Sequence, residues 1–217
     1  MNKSILYYTG NAKHPEFEKR VQQTLVENCQ GLPIISVSHK PLDLGKNICV
    51  GEVGHSYLNA FRQILIGAQA AETEWLIFAE DDFIYPPEYF QFNPSDENLY
   101  RYDNVWMVYR RGGWFYKTPP ISGAQIAKRD YVVQEFTSYL EGQPEWFDGE
   151  HRGPSTTYRL LLLVDDPNIK TFTGPPAIVF KTVGNLSRAG SIGGMLARHI
   201  PIWGHVGELR RRYCVRA

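Results

Sequence analysis

The sequence predicts an α/β protein with a mostly parallel central sheet flanked by helices. Three observations carry this expectation. Short apolar runs alternate with stretches of helical spacing through the first half of the chain, the rhythm of a doubly wound parallel sheet. The run Trp75-Leu76-Ile77-Phe78-Ala79 is apolar without a break over a strand's length, as in a central strand buried on both faces. Residues 56–71 place Leu58, Phe61, Leu65 and Ala68 on one stripe, the pattern of a helix laid on such a sheet.

Taken in order, Ile5-Leu6-Tyr7-Tyr8 reads as the first strand and Thr9-Gly10-Asn11 as the turn that ends it. Pro15 stands where a helix begins; Phe17, Val21 and Leu25 continue at helical spacing, and Gly31 stops it. Residues 33–38 (PIISVS) read as a second strand. Residues 40–53, with Pro41, Gly45 and Gly51, read as a loop before the helix over 56–71 and the strand over 75–79. The second half is less regular. Residues 104–109 suggest a strand and Arg111-Gly112-Gly113-Trp114 a turn. Helices are expected over 130–140, stopped at Gly142, and over 156–164. Residues 177–181 (AIVFK) read as a late strand, and the Gly-, Ser- and Asn-rich residues 184–194 as a mobile loop.

The bulk composition narrows the class. The chain has 217 residues, a formal net charge of zero, 43% hydrophobic and 21% charged residues, which suits one soluble domain. No repeat, low-complexity tract or linker divides it. No stretch reaches the ~20 apolar residues that span a bilayer. The start, MNKSILYYTGN, lacks the apolar region and cleavage site of a signal peptide, so a cytoplasmic location is expected. Cys29, Cys49 and Cys214 fit neither a disulfide framework nor a zinc motif. The neutral charge argues against a general nucleic-acid binder and leaves Arg210-Arg211-Arg212 as a local basic run.

The chemistry concentrates at Glu80-Asp81-Asp82, directly after the central strand. Ligands of open α/β sheets bind beyond the carboxyl ends of the strands. On an extended segment, residues i and i+2 point the same way, so Glu80 and Asp82 would share a face and Asp81 would turn from it. Neighbouring carboxylates repel, and a Mg²⁺ or Mn²⁺ ion relieves that while bridging protein oxygens to phosphate. The plain alternative is a solvated acidic turn.

The segment WLIFAEDDFIYPPEYF resembles the strand that carries the Asp-x-Asp-type metal motif in nucleotide-sugar-dependent glycosyltransferases of the GT-A (Rossmann-like) fold, family-two-like. The resemblance covers the first 90 residues or so. It implies a single GT-A-like domain over 1–217, with 1–90 as the nucleotide- and metal-binding half and 100–217 on the acceptor side. It further implies Asp82 as the principal ligand of Mn²⁺ or Mg²⁺, with Glu80, where the family has Asp, as its partner. On the donor side it points to Thr9, Gly10 and Asn11 at the end of the first strand, to Ser56, Asn59 and Arg62 at the start of the long helix, and to Glu80 and Asp81. A third metal ligand in such enzymes is commonly a late His, here His205. An inverting reaction needs a carboxylate to take the acceptor proton, and Asp148 and Glu150, in EWFDGEHR, are the catalytic candidates. Ser122, Gly123 and Gln125, with Trp114 and Trp146, are the acceptor-side candidates.

The function expected is transfer of a sugar from a nucleotide-diphosphate sugar, UDP-sugar favoured, to an acceptor hydroxyl. The acceptor is a glycan, a small molecule or a hydroxymethylated base in DNA. A nucleotidyltransferase is the competing enzyme class, although Thr9-Gly10-Asn11-Ala12-Lys13 is sparse for its Gly-rich basic loop. A non-catalytic nucleotide-sugar-binding domain is the competing non-enzyme.

Overall fold

The computed structural model describes residues 2–109, 112–147, 169–181 and 194–213. The helix expected over 156–164, nearly all of the loop over 184–194, and Cys214 lie outside the described residues.

A mostly parallel sheet forms the centre. It contains β1 (Lys3–Thr9), β2 (Ile34–Ser38), β3 (Lys46–Cys49), β4 (Trp75–Glu80), β6 (Leu99–Tyr102), β9 (Gln125–Lys128) and β10 (Lys170–Phe172). Their spatial order is β10-β6-β9-β4-β1-β2-β3. β1 through β4 all run parallel. β9 is antiparallel to both β4 and β6, and β10 is parallel to β6.

Alternation explains the unbroken apolar runs. Ile5, Tyr7, Ile77 and Ala79 enter one core cluster, while Leu6, Leu76 and Phe78 enter another on the opposite face. The second cluster is capped by α2 (Tyr57–Ala70) and α4 (Arg129–Leu140) through Leu58, Phe61, Leu65, Val132 and Phe136. Burying each of these larger side chains stabilises the fold by about 1.5–3 kcal/mol. Gly67 lets α2 lie close: a Cβ there would fall 2.2 Å from Leu6 Cδ1. The other cluster takes Leu25 and Cys29 from α1 (Pro15–Asn28) and its C-cap, and Tyr89 and Phe90 from α3 (Pro87–Gln91).

A second sheet contains β5 (Phe83–Ile84), β7 (Val105–Tyr109), β8 (Phe115–Lys117), β11 (Ala177–Lys181) and β12 (Leu196–Ala197), ordered β12-β8-β7-β11-β5. A ribbon of β13 (His199–Ile200) and β14 (Gly204–His205) leads into α5 (Val206–Tyr213). No helix among the described residues is long and apolar enough to cross a membrane.

One expectation needs correction. Residues 40–53 are not wholly a loop, because β3 pairs with β2 there. Its sequence, KNIC, carries no apolar run; the strand is held instead by the ladder and by Asn47, whose Nδ2 donates to Ser36 Oγ and Ser38 Oγ at 2.9 Å. β9 separates Ser122 and Gly123 from α4.

Candidate active site

The acidic triplet lies where the two sheets meet. Glu80 ends β4, Asp81 and Asp82 form a turn, and Phe83 begins β5 in the second sheet. Asp82 fastens the turn to that sheet, its carbonyl accepting from Phe180 N at 2.8 Å.

The three carboxylates have different surroundings. Asp81 is buried and accepts from Thr9 Oγ1 and Lys13 Nζ, each at 2.6 Å. Thr9 Oγ1 in turn accepts from Asn11 N at 2.9 Å, which ties the turn after β1 to the turn after β4. Burial opposes the Lys13 charge, but the carboxylates of Asp81, Asp82 and Glu80 outweigh it and hold the ammonium well above its ordinary value.

Glu80 sits opposite Tyr8 in the β1–β4 register and accepts from Tyr8 Oη at 2.5 Å. Its backbone N–H donates to Tyr85 Oη at 3.1 Å, and that hydroxyl donates to Gly123 O at 2.5 Å. Burial first, then the charge of Asp82, push Glu80 up to about 7, against the Tyr8 hydrogen bond and the charge of Lys181. The side chain of Gly123 is missing where it would collide: a Cβ there would stand 2.8 Å from Glu80 Oε2. Two mutually repelling carboxylates at one turn suit a hard divalent cation bound through oxygen.

The remaining candidates are placed as follows. Ser56 is the N-cap of α2, its Oγ accepting from Asn59 N at 3.1 Å. Asn59 is buried and its side chain is fully occupied. Its Nδ2 donates to Val53 O, Gly54 O and Phe147 O, and its Oδ1 accepts from Phe147 N at 2.9 Å. Arg62 donates to Pro144 O and Glu145 O at 2.9 and 3.1 Å. Together Asn59 and Arg62 clamp the segment containing the half-buried Trp146, directly ahead of Asp148 and Glu150. Asp148 and Glu150 themselves lie outside the described residues.

Gly10 and Asn11 flank the Thr9 turn; Asn11 adopts a φ of 50°, and its Oδ1 accepts from Lys40 N at 2.9 Å. Ser122 is half-buried beside Gly123, whereas Gln125 is 1% exposed within β9. Trp114 is exposed, with the Arg198 guanidinium 4.3 Å from its ring centre. His205 is exposed, and its Nδ1 accepts from Gly207 N at 3.1 Å at the start of α5. Among the described residues, Glu80, Asp82 and His205 do not converge as a trio of ligand atoms. The basic run is tied down in part, Arg210 donating to Gly112 O at 2.6 Å.

Four contributors escaped the sequence reading: Tyr8, Lys13, Gln63 and Tyr85. Gln63, buried in α2, donates to Thr9 O at 2.8 Å and so braces the end of β1. Tyr8 was accessible in principle, because parallel pairing of two strands that end together sets Tyr8 against Glu80. Lys13 carried only the weak signal of a lone lysine after the first strand.

No family model and no curated protein sequence matches the chain. Among solved structures, the chain is similar to a glycosyltransferase involved in the glycosylation of the major capsid of PBCV-1, with a TM-score of 0.46 and 16% identity over 80% of this chain and 82% of that one. It is also similar to HddC from Yersinia pseudotuberculosis, with a TM-score of 0.45 and 13% identity over 80% of this chain and 90% of that one. A third similarity is to mannose-1-phosphate geranyltransferase from Thermus thermophilus, with a TM-score of 0.41 and 10% identity over 83% of this chain and 74% of that one.

Proposed function

We propose that the chain is a glycosyltransferase that moves a sugar from a nucleotide-diphosphate sugar, UDP-sugar favoured, to an acceptor hydroxyl. The observation that carries this is the Glu80–Asp82 pair at the carboxyl end of the central strand, with Asp82 the charge that most raises Glu80. In this reading Glu80 and Asp82 would hold Mn²⁺ or Mg²⁺, and the ion would supply charge neutralisation for a leaving diphosphate. Tyr8 and Tyr85 orient Glu80 through its carboxylate and its backbone. Thr9 and Lys13, by holding Asp81, keep the acidic turn against the end of β1. The donor lies on the half formed by residues 1–90 and the acceptor on that of 100–217. Asp148 or Glu150 takes the acceptor proton; in sequence they follow residues 144–147, whose backbone Asn59 and Arg62 hold. The acceptor is a glycan, a small molecule or a hydroxymethylated DNA base.

A panel of UDP- and GDP-sugars with Mn²⁺ tests the reading. Release of the nucleoside diphosphate from at least one donor is expected. Failure of every donor to bind or to be hydrolysed would sink it. Turnover that survives loss of both Asp148 and Glu150 would favour a retaining mechanism.

One observation supports nucleotidyl transfer as a second reading. The loop after β1 is poor in glycine, yet it carries a lysine, Lys13, beside the acidic turn. Pyrophosphate release from a nucleoside triphosphate and a sugar phosphate, with no release of nucleoside diphosphate from sugar donors, would select that reading.

A further inference from the structure

A second cluster of ligating groups lies at the neighbouring strand end. His39 follows β2, is 3% exposed, and neither of its ring nitrogens has a hydrogen-bond partner among the described residues. A buried imidazole with both nitrogens idle is uncommon, because each has given up water and gained nothing in return. The exposed His55 lies over it, ring centroids 5.1 Å apart and planes tilted by 30°. Glu52, also exposed, comes from the same loop as His55. One ligand atom from each of the three residues lies within 4.8 Å of the others.

We propose that His39, Glu52 and His55 form a cation site separate from the acidic turn, suited to Zn²⁺ or a neighbouring first-row divalent metal. Two imidazole nitrogens and one carboxylate oxygen are the donor set of three-ligand zinc sites with an open fourth position, whereas Mg²⁺ and Mn²⁺ favour oxygen alone. Metal bonds of about 2.0–2.1 Å at tetrahedral angles set donor atoms ~3.4 Å apart, so from separations within 4.8 Å the cluster closes by at most ~1.4 Å on binding. The exposed side chains of Glu52 and His55 have the freedom to do this. Burial, and then the neighbouring His55, hold His39 below its ordinary value, which favours the neutral, coordinating form.

The site's neighbours set what else it does. Lys40 Nζ stands 3.4 Å from Glu52 Oε1 and competes with a cation for that carboxylate. A Cβ on Gly10 would fall 2.6 Å from His55 Nδ1, so the histidine occupies space that only glycine leaves open. The bound ion would therefore fasten the loop ahead of α2 to the end of β2, against the Thr9-Gly10-Asn11 turn.

The test is titration of tag-free, chelator-stripped protein with Zn²⁺ against a chromophoric chelator, with Co²⁺ as the spectroscopic probe. Wild-type protein is expected to bind one Zn²⁺ per chain, with a four-coordinate Co²⁺ absorption. Asp82→Asn should retain that binding. His55→Ala should weaken it at least tenfold, as should Gly10→Ala by displacing the ring, and Lys40→Met should tighten it. Because His55 is exposed, its variant is expected to fold, and circular dichroism checks this. Absence of Zn²⁺ binding to the wild type, undiminished binding by folded His55→Ala, or loss in Asp82→Asn alone would each overturn the proposal.

Discussion

Asp81 and the pair Glu80–Asp82 are adjacent in sequence and opposite in physical situation. Asp81 has a lysine ammonium and a threonine hydroxyl at 2.6 Å, with side-chain exposures of 7% and 10% for the lysine and the aspartate. Its charge is matched, and the match joins the turn after β1 to the turn after β4. Glu80 has instead a tyrosine hydroxyl as partner, and burial, then the charge of Asp82, push it up to about 7 against that hydrogen bond. A matched buried carboxylate holds structure. A mismatched one stores a tendency to take up a proton or a cation. The contrast teaches that an acidic run is not a unit: the middle residue is tied to Thr9 and Lys13, while the charge of Asp82 bears on Glu80.

The variant that presses hardest on this contrast is Asp82→Asn. If Asp82 is the principal metal ligand, metal-dependent turnover of a sugar nucleotide falls by about 10³-fold, equivalent to ~4 kcal/mol. The substitution keeps the side chain's size and removes the charge that most raises Glu80, so its effect on stability is measured separately from its effect on turnover. Thermal unfolding alongside steady-state rates separates the two readouts. Turnover within a few-fold of wild type would place the metal elsewhere.

Asp81→Asn should show the reverse pattern. It leaves the Lys13 ammonium buried without its partner, and breaking such a pair costs about 3–5 kcal/mol. Urea unfolding would register this as a lower midpoint at unchanged slope. The double variant Lys13→Met/Asp81→Asn removes the stranded charge and should recover part of the loss, a coupling that a double-mutant cycle measures. Equal stability of Asp81→Asn and wild type would mean that Asp81 is not the scaffold half of the contrast.

How far the sequence revealed this arrangement depends on what produces each part. β1, α1, β2, α2 and β4 were legible because burial on both sheet faces leaves periodic or unbroken apolar runs, such as Trp75 to Ala79 and the stripe from Leu58 to Ala68. β3 was hidden because an edge strand with partly exposed residues is held by backbone pairing and by Asn47, not by apolar burial. β5, β6, β8 and β9 are two to four residues long, too short for a period to register. The antiparallel β9 between β4 and β6 cannot be inferred from local pattern at all, since it is set by long-range pairing. At the site, the position of the triplet after β4 was legible. Its division of labour was not, because Lys13 and Asp81 are 68 residues apart and only the fold brings them together. Asn59 and Arg62 drew attention as donor-side residues, and the structure occupies both with the backbone of residues 144–147.

The smallest expected effect refines the scaffold half. Glu18 lies on the Asp81 side, accepting from Lys13 N at 3.1 Å and from Asn11 Nδ2 at 3.3 Å. Burial, and then the charge of Asp81, raise it above the ordinary carboxylate value of 4.5 despite those hydrogen bonds. The folded state therefore binds the Glu18 proton more tightly than the unfolded state does. Where the folded state holds more protons, stability falls as pH rises. The fall begins near the unfolded value and is complete once pH passes the raised folded value; below the unfolded value it is absent. Glu18→Gln removes this contribution while its amide oxygen still accepts from Lys13 N. The difference in unfolding free energy, wild type minus variant, should thus decline as pH rises above the unfolded value and level off once pH passes the raised folded value. A difference that rises with pH would mean that the hydrogen bonds from Lys13 and Asn11 outweigh the repulsion of Asp81, making the scaffold side of the triplet more fully matched than its geometry indicates.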